Sequence, residues 1–430
     1  MTLPWKRGSG PVGHSDFRKL WVAQTVSMAG SQISLIVFPL IAVSLLEASA
    51  WEAGVLSAVE RAPFLLFGLA AGALVDRWRL RRVLIVTDWI RAAAVGMIPL
   101  AAVLDFFTVE LLYVIAFILG VCTVFFDIAY QSIVPSIVER ENLLGANRRL
   151  ESSRSVVEMV GPGLAAALLK LASAPIVIFF DALSFAVSAM VLRSVPATEK
   201  DPQPASRKGS LWSEVRAGIS FIRRTEFLRW NAVIAATWNL TLQALLALFF
   251  IYLVRDLQLS STKVAAVVFM GSLGSILGVM AVGRVNKVCG LGLGMTLATC
   301  LSSAGGMLLV AVSGSSLQAV AAVGSSFLLI SFGITLFNVN AISVRQTITP
   351  ENLMGRTTAA MRFVVWGVMP IGSLLGGFLG ELFGSRPMVA TIGAALLLPT
   401  IITLLSPLHR IRNMSDLVPG ERDQSEMEAS

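Results

Sequence analysis

Ionisable side chains that interrupt long apolar runs are the residues of this sequence whose types and positions could do chemistry. Asp88 and Arg91 lie three residues apart in one such run, and Asp127 interrupts the next. Glu60 and Arg61 are neighbours in an earlier run. A charge in the middle of a hydrocarbon layer costs about 2.5 to 3.5 kcal/mol, so each of these residues needs a partner or a water-filled cavity. They are therefore candidates for binding a proton, an ion or a polar ligand.

Asp127 is the leading candidate for proton coupling. It shares one face of a predicted helix with Thr123, Tyr130 and Gln131, and no basic residue lies within one turn of it. A carboxylate without a basic partner in an apolar cavity can take up and release a proton near neutral pH. The alternative is that Asp127 is half of a buried ion pair formed with another helix.

The other ionisable positions have structural interpretations beside functional ones. Asp88 and Arg91 share a helical face, so they either neutralise each other or take part directly in transport. Glu60 and Arg61 are adjacent and point to different faces, so each needs its own partner. After Asp127, the positions next in line for coupling are Asp88, Glu60 and Glu158.

Three further positions have predicted local roles. Glu158 lies one turn beyond Arg154, a spacing that favours an ion pair. Arg362 and Trp366 have the same spacing and can form a cation-π surface for a ligand or for packing. Asp181 is predicted to lie at the start of a helix, where an acid is favourable without any transport function.

Cysteine and histidine usage excludes several other chemistries. Cys122, Cys289 and Cys300 stand singly in apolar stretches, and the only histidines are His14 and His409. No disulfide framework, zinc site or Ser-His-Asp triad can be built from them. The sequence also lacks a GxxxxGK[ST] phosphate loop, which disfavours an ATP-driven machine. We expect no cofactor and no bound metal.

The elements that carry these residues are predicted to be transmembrane helices. Hydrophobic residues make up 55% of the 430 positions and charged residues only 14%, too few to cover a soluble protein of this size. A bilayer span needs about twenty largely apolar residues. The apolar runs predict twelve helices, near 18 to 46, 53 to 75, 83 to 104, 110 to 135, 155 to 172, 175 to 194, 229 to 254, 264 to 284, 291 to 313, 317 to 346, 357 to 381 and 387 to 408.

The distribution of basic residues predicts that both termini are cytoplasmic. In that orientation 27 of the 34 Lys and Arg residues lie in the cytoplasm, three lie within helices, and only Lys170, Arg255, Lys263 and Arg386 lie outside. The formal charge of +8 follows from this topology, so we expect no nucleic-acid partner. Residues 1–16 lack the apolar core of a signal peptide, which favours a retained cytoplasmic tail.

The sequence is predicted to contain two six-helix halves. The segment Glu141-Asn-Leu-Leu-Gly145 recurs as Glu351-Asn-Leu-Met-Gly355, an offset of 210 residues that also places Asp76-Arg77 on Asn286-Lys287. Such an offset is expected of a parallel repeat. A polar stretch with a predicted amphipathic helix at the membrane surface joins the halves. The predicted order is a tail at 1–16, a bundle at 17–194, a linker at 195–228, a bundle at 229–408 and a tail at 409–430.

The loop after the second helix resembles the signature loop of the major facilitator superfamily, G-x-L-x-D-R-x-G-R-[KR]. Here it is Gly72-Ala-Leu-Val-Asp76-Arg77-Trp-Arg79-Leu-Arg81-Arg82, with Arg79 in place of the second glycine. From about residue 17 to 408 the chain is similar to the drug and siderophore exporters of this superfamily, which include macrolide-efflux and enterobactin-exporter-like proteins. The resemblance implies a gating latch at Gly72, Asp76, Arg77 and Arg81. The alternative is that the loop only retains positive charge in the cytoplasm.

The antiporter motif of the superfamily is only partly present. Gly161-Pro162 resembles the start of G-P-x-x-G-G, but Ala165 and Ala166 stand where its glycines would be. The helix-four arginine of many drug–proton antiporters is also missing, because Ala116 stands four residues before Gly120. Proton coupling is therefore an expectation from the family, not from this motif.

The resemblance also implies which side chains line a transport cavity. Helices one, four, seven and ten surround the cavity in facilitator folds, and here they carry polar residues at helical spacing. The candidates are Ser27, Ser31, Ser34, Thr123, Tyr130, Gln131, Asn239, Gln243, Thr335 and Asn338, together with Arg362 and Trp366 of helix eleven. Polar residues also hold membrane helices together, so any one of them can serve packing instead.

We expect an all-α membrane protein of the major facilitator fold that is a secondary transporter and not an enzyme. Its predicted function is proton-coupled efflux of an amphipathic small molecule, such as a drug, a macrolide-like compound or a siderophore, by alternating access. We expect a monomer in the bacterial inner membrane, with protons and membrane lipids as further partners. An importer or lipid flippase of the same fold is the alternative. A membrane-embedded enzyme or sensor is disfavoured, since no cluster of metal ligands and no soluble domain are expected.

Overall fold

Helices form all the regular structure in the part of the chain that the computed structural model describes, residues 14–75, 78–138, 143–195, 211–310, 312 and 317–412. The first half contains α1 (His14–Ser44), α2 (Ala50–Val75), α3 (Leu80–Val103), α4 (Val109–Ile137), α5 (Leu143–Leu171) and α6 (Ala174–Arg193). A shorter helix, α7 (Leu211–Arg224), follows in the predicted linker and packs against α8 and α12.

The second half repeats this arrangement with more interruptions. It contains α8 (Glu226–Ile251), which continues into a π-helical turn (Tyr252–Asp256), α9 (Ser261–Cys289), α10 (Leu291–Val310), α11 (Leu317–Ile348), α12 (Glu351–Gly367), α13 (Met369–Phe383), α14 (Ser385–Ala395) and α15 (Leu397–Leu405). Each pair α12–α13 and α14–α15 occupies the place of one predicted span.

The helices have the length and composition of membrane spans, as predicted. Ten stretches of the described residues are long and apolar enough to cross a bilayer. The helices α2 and α5, of 26 and 29 residues, pack in the same bundle and are consistent with the twelve predicted spans. Several large apolar side chains lie on the outer surface of the bundle, with 79% of Val103, 83% of Leu171 and 81% of Leu317 exposed. Such exposure suits contact with lipid. The prediction of an all-α membrane fold is confirmed.

Two kinds of helix boundary differ from the predicted ones. The helix α5 begins at Leu143 instead of near 155, because its first three turns are polar and the prediction followed only the apolar run. The predicted single spans at 357 to 381 and 387 to 408 are each broken, at Val368 and Leu396. Pro370 and Pro399 follow these breaks, and a proline lacks the N–H group that would continue the helical hydrogen bonds.

Equivalent helix pairs pack in the two halves, as expected of a duplicated unit. The pairs α1–α6, α2–α4 and α3–α4 of the first half correspond to α8–α14, α9–α11 and α10–α11 of the second. The two halves meet mainly through α2 against α13 and α5 against α9, which are themselves equivalent contacts. The repeat predicted from the 210-residue offset therefore has a structural counterpart.

Candidate transport site

Asp127 lies in the second half of α4, and its side chain is only partly buried. No hydrogen bond or ion pair joins its carboxylate to another described residue. Arg91 of α3, Arg154 of α5 and Arg362 of α12 are close enough to act on it electrostatically. Because Arg362 belongs to the second half of the molecule, the partly exposed carboxylate of Asp127 lies on the side of the first half that faces the second half. The region between these two faces is called the gap below.

The remaining polar residues on this face of α4 are used in different ways. The Thr123 hydroxyl donates to the Leu119 carbonyl at 2.8 Å, so its hydrogen bond is made within the helix. The Tyr130 ring stacks on Phe126 with 6.0 Å between the ring centres. Its buried hydroxyl has no hydrogen-bond partner in the described part of the chain. Gln131 is exposed and free to meet a ligand.

A cationic and aromatic surface lies on the second half. The Arg362 guanidinium is 5.2 Å from the centre of the Trp366 ring, and Trp366 meets Phe64 of α2 edge to face with 5.7 Å between ring centres. Arg345 of α11 lies within electrostatic range of Arg362, and its buried Nε has no partner among the described residues. Arg362 and Trp366 are both exposed. This surface can hold an aromatic or an anionic group.

The cavity candidates of α8 and α11 have mixed environments. The Asn239 side chain donates to the Val365 carbonyl at 2.9 Å and so connects α8 to α12. Gln243 is buried where α8 approaches α13, and Thr335 is half-buried. Asn338 is exposed. Asn338 is thus the most exposed of the four, and the predicted cavity role of all four residues stays a prediction.

The three serines predicted to line the cavity from α1 make bonds inside the first half. Ser27 is buried, and Ser31 donates to the Ser27 carbonyl at 3.1 Å. Ser34 donates to the carboxylate of Asp181 on α6. The structure thus gives Ser31 and Ser34 partners within the first half, and their predicted role in a cavity stays a prediction.

Asp88 and Arg91 form a buried ion pair at the junction of α3, α4 and α6. Their side chains are 0% and 5% exposed, and Arg91 Nη1 lies 3.4 Å from Asp88 Oδ1. Arg91 Nη2 also donates to the Cys122 carbonyl at 3.0 Å. The guanidinium lies 4.4 Å from the centre of the Phe126 ring and 5.3 Å from that of Phe185. Two aromatic rings therefore enclose the cation away from water.

Asp181 has a place in the fold that the sequence did not predict. Since α6 begins at Ala174, Asp181 is two turns inside the helix, and the interpretation as a helix-start acid was wrong. Its side chain is 1% exposed, accepts a hydrogen bond from Ser34, and has Oδ1 3.2 Å from the Ser184 hydroxyl oxygen. The signal that could have revealed it is the polar pair Asp181 and Ser184 on one face of an otherwise apolar run.

The other coupling candidates lie apart from this buried pair. Arg154 Nε and Glu158 Oε1 are 2.8 Å apart in an exposed ion pair on α5. Glu60 is half-buried on α2, and the buried Nε of Arg61 has no partner among the described residues.

The predicted gating loop is only partly described. Asp76 and Arg77 lie outside the described residues, and Gly72 is in the last turn of α2. Arg81, at the start of α3, donates to the carbonyls of Leu192 (3.1 Å) and Arg193 at the end of α6. A cation is favourable at the C-terminal end of a helix, so Arg81 holds α3 and α6 together within the first half.

The two halves touch closely at the end of the bundle where α1 ends and α2 begins. A Cβ atom on Gly54 of α2 would lie 2.7 Å from the Gly377 Cα of α13, so only glycine allows this approach. The Ser57 and Ser373 hydroxyls are 3.1 Å apart nearby. The backbone N–H of Trp51 donates to Glu381 Oε2 at 3.2 Å. This contact, called the α2–α13 contact below, closes the gap at that end.

Most of the chain matches a known family of membrane proteins. The sequence profile of the Major Facilitator Superfamily matches residues 20–372. The chain belongs to the major facilitator superfamily. It is accordingly a membrane transporter and not an enzyme.

Relatives of this superfamily member are named as efflux proteins. This chain is 26% identical over 214 residues to macrolide efflux protein A of Streptococcus pyogenes, and the match covers 49% of this chain and 52% of that protein. The match thus spans about half the length of that relative. It is 23% identical over 398 residues to the multidrug efflux pump Tap of Mycolicibacterium fortuitum, covering 89% of this chain and 93% of that protein.

Solved facilitator structures share the fold. A mutant form of the nucleoside transporter NupG superposes with a TM-score of 0.74 at 10% identity, covering 90% of this chain and 99% of that one. A bacterial homologue of ferroportin in its inward-facing state gives 0.71 at 18% identity, covering 91% and 98%. The same kind of homologue in its outward-facing state gives 0.59 at 17% identity, covering 90% and 98%.

Proposed function

We propose that this facilitator exports an amphipathic small molecule by alternating access, with proton exchange as its energy source. The observation that carries the proposal is that opposite charges approach from the two halves: the Asp127 carboxylate lies within electrostatic range of Arg362, whose guanidinium lies over the Trp366 ring. A molecule with both charged and aromatic groups can be bound there by charge on one side and by ring stacking on the other.

The relatives support export over import. Macrolide efflux protein A and the pump Tap are both named for efflux, and the second match covers most of the chain. Macrolide-like drugs, siderophores and other amphipathic compounds are the substrate classes we propose on this basis. Importers and lipid flippases of the same fold would need the same kind of gap, so direction has to be measured.

Proton coupling is proposed to act through Asp127. A carboxylate in the gap changes its charge when it binds a proton, and this changes its attraction for Arg362 and for a ligand between them. Binding of proton and ligand then become linked, because each alters the free energy of binding of the other. Arg362 and the loop of Gly72, Asp76, Arg77 and Arg81 are proposed to favour one access state over the other.

The orientation in the membrane follows from charge. The excess of Lys and Arg on the side of the termini supports cytoplasmic termini in a bacterial inner membrane. In that orientation the α2–α13 contact lies on the outer side, so the gap opens toward the cytoplasm. We propose that the monomer is the working unit, because the gap forms within one chain.

An accumulation assay tests the proposal. The chain is expressed in cells that lack their own pumps, and retention of siderophores, macrolides and dyes is measured. We expect cells with the parent chain to accumulate less of at least one compound than cells without it. Cells with Asp127→Asn should accumulate as much as cells without the chain. The variant Glu110→Gln, at the exposed start of the same helix, is the matched control and should pump normally. Increased accumulation would identify an importer, and no change for any compound would contradict the proposal.

A further inference from the structure

Arg91 is enclosed by more carboxylates than it can neutralise. Asp88 contacts it directly at 3.4 Å. Its guanidinium lies against Phe126, the neighbour of Asp127, and against Phe185, one turn after Asp181. Arg91 therefore lies between three acids that belong to α3, α4 and α6, and it acts electrostatically on both Asp127 and Asp181.

The buried part of this cluster has an excess of negative charge if both of its acids are ionised. Asp88 and Asp181 are 0% and 1% exposed, and Arg91 is the one cation that faces them from the described helices. The other groups that face them are the hydroxyls of α1 and α6 and the Cys122 thiol of α4. Two carboxylates around one guanidinium, away from water, are stabilised when one of them binds a proton.

The hydrogen bonds indicate which acid holds the proton. The Ser184 hydroxyl oxygen lies 2.8 Å from the backbone carbonyl oxygen of Asp181 in the same helix. It lies 3.2 Å from Oδ1 of the Asp181 side chain. A hydroxyl has one proton, so donation to the nearer carbonyl leaves its oxygen facing Oδ1 as an acceptor. A proton on Oδ1 completes that bond, while Oδ2 accepts from Ser34. Asp88, by contrast, has the Arg91 guanidinium 3.4 Å from its Oδ1, and its buried Oδ2 has no hydrogen-bond acceptor among the described residues to which a proton could be donated.

We propose that Asp181 is a proton-binding residue of this carrier, buried behind Arg91 and linked through it to the acid in the gap. This inference rests on the proposed proton coupling and adds a second carboxyl group to it. When Asp181 is neutral, Arg91 interacts with Asp88 and Asp127 alone. When Asp181 loses its proton, it competes for Arg91 and weakens the hold of Arg91 on Asp127.

Burial ties this proton to the transport cycle. Asp181 lies where α1 crosses α6, and a Cβ atom on Gly30 of α1 would lie within 2.5 Å of its Oδ1, so no space for water separates the helices there. Proton exchange with bulk water therefore needs α1 and α6 to move apart. The proton is taken from water in one arrangement of the helices and returned to water in another.

The variant Asp181→Asn is suited to test this inference. An asparagine side chain has the shape of the protonated acid, since its oxygen can accept from Ser34 and its NH₂ group can donate to Ser184. It should fold like the parent protein. Asp88→Asn is the matched buried control, because it leaves the Arg91 guanidinium without its ion-pair partner and should lower the thermal midpoint of the purified protein.

Infrared difference spectroscopy of the purified protein between acid and alkaline buffer measures the proton directly. We expect a carboxyl C=O band that titrates in the parent and in Glu110→Gln, shifts in D₂O, and is lost in Asp181→Asn. A spectrum of Asp181→Asn that keeps every titrating band of the parent, or no titrating band in the parent, would overturn the inference. A band that disappears only in Asp127→Asn belongs to Asp127 and does not bear on it. No substrate is needed, so an intact Asp181 band together with unchanged drug accumulation would count against the proposed function alone.

Thermal unfolding provides a second measurement. The parent should lose stability as the pH rises above about 4, the ordinary pKa of an aspartate in the unfolded chain, because the unfolded state then releases a proton that the folded state keeps on Asp181. Asp181→Asn should keep the parent midpoint below that pH and lose part of the decrease above it. If Asp181→Asn instead lowers the midpoint at every pH, as Asp88→Asn does, then Asp181 is an ionised partner of Arg91 and the inference is wrong.

Discussion

Charged side chains in this bundle differ in how much of their charge is already compensated. Asp88 has Arg91, and Glu158 has Arg154. Asp127 has neither an ion pair nor a hydrogen bond to a described residue, although three arginines lie close enough to act on its carboxylate electrostatically. A carboxylate that is partly exposed and still uncompensated is the one whose charge can be changed by a proton or a ligand without breaking the fold.

Replacing Asp127 by asparagine should therefore uncouple the carrier. The change keeps the shape and removes the proton site, so uphill efflux should be lost while exchange of substrate between equal concentrations persists. Efflux and equilibrium exchange of the same compound in membrane vesicles measure the two activities. Uphill pumping with unchanged pH dependence would move coupling to Asp88, Glu60 or Glu158. A variant that fails to fold would show that Asp127 is half of a buried pair.

The sequence predicts which polar and ionisable residues share a helical face, and the transport roles assigned to them stay predictions. Asp127 was predicted to be on an interior face because its helical neighbours are polar. Asp181 was misplaced because its importance depends on Ser34, which is 147 positions away in sequence and belongs to another helix. Spacing along one helix shows which side chains share a face, but it does not show which helix that face meets.

At the scale of the helices, glycine contacts determine how the halves approach. Gly54 packs on Gly377 with no room for a side chain, whereas the α5–α9 contact at Gly163 and Phe269 has ordinary van der Waals spacing, with 3.9 Å from the Gly163 Cβ position to the ring. Both contacts lie toward the end of the bundle opposite the termini. Close packing without interlocking side chains allows helices to separate and re-form a contact, which alternating access requires.

Gly54→Ala should open the bundle at this end. The added Cβ would lie 2.7 Å from Gly377 Cα and 2.8 Å from the Ser373 carbonyl, so the helices have to move apart, at a cost of about 1 to 3 kcal/mol to the closed arrangement. Spin labels on the ends of α2 and α13 should report a longer distance. Gly68→Ala is the matched control in the same helix, since nothing lies within 4 Å of its Cβ position. Equal distances in both variants would contradict this role of the α2–α13 contact.

Helix boundaries were predictable where the apolar run and the helix coincide. The span near 83 to 104 agrees with α3 (Leu80–Val103) within a few residues. The start of α5 was missed because its first three turns are polar and the prediction followed only the apolar run. Pro370 and Pro399 are present in the sequence, but the prediction did not use them. Each lies just after a break that divides a predicted span into two helices, α12 and α13 or α14 and α15.

At the scale of the whole molecule, the basic residues are concentrated on one side of the predicted membrane. This asymmetry predicts cytoplasmic termini and a cytoplasmic linker. A single cysteine introduced at position 208, in a variant without Cys122, Cys289 and Cys300, should react with a membrane-impermeant reagent only after the cells are opened. Labelling at position 208 in intact cells would reverse the orientation, and with it the side to which the gap opens.

The central claim is that a proton gradient drives export through this carrier, and transport in everted membrane vesicles tests it most directly. Such vesicles have the cytoplasmic face outside, so the exporter should concentrate the substrate found in the accumulation assay inside them when the lumen is acidified. Collapsing the pH gradient with nigericin should release that substrate, and vesicles with Asp127→Asn should not concentrate it. Accumulation that continues at full extent after the pH gradient is abolished would contradict proton-driven export.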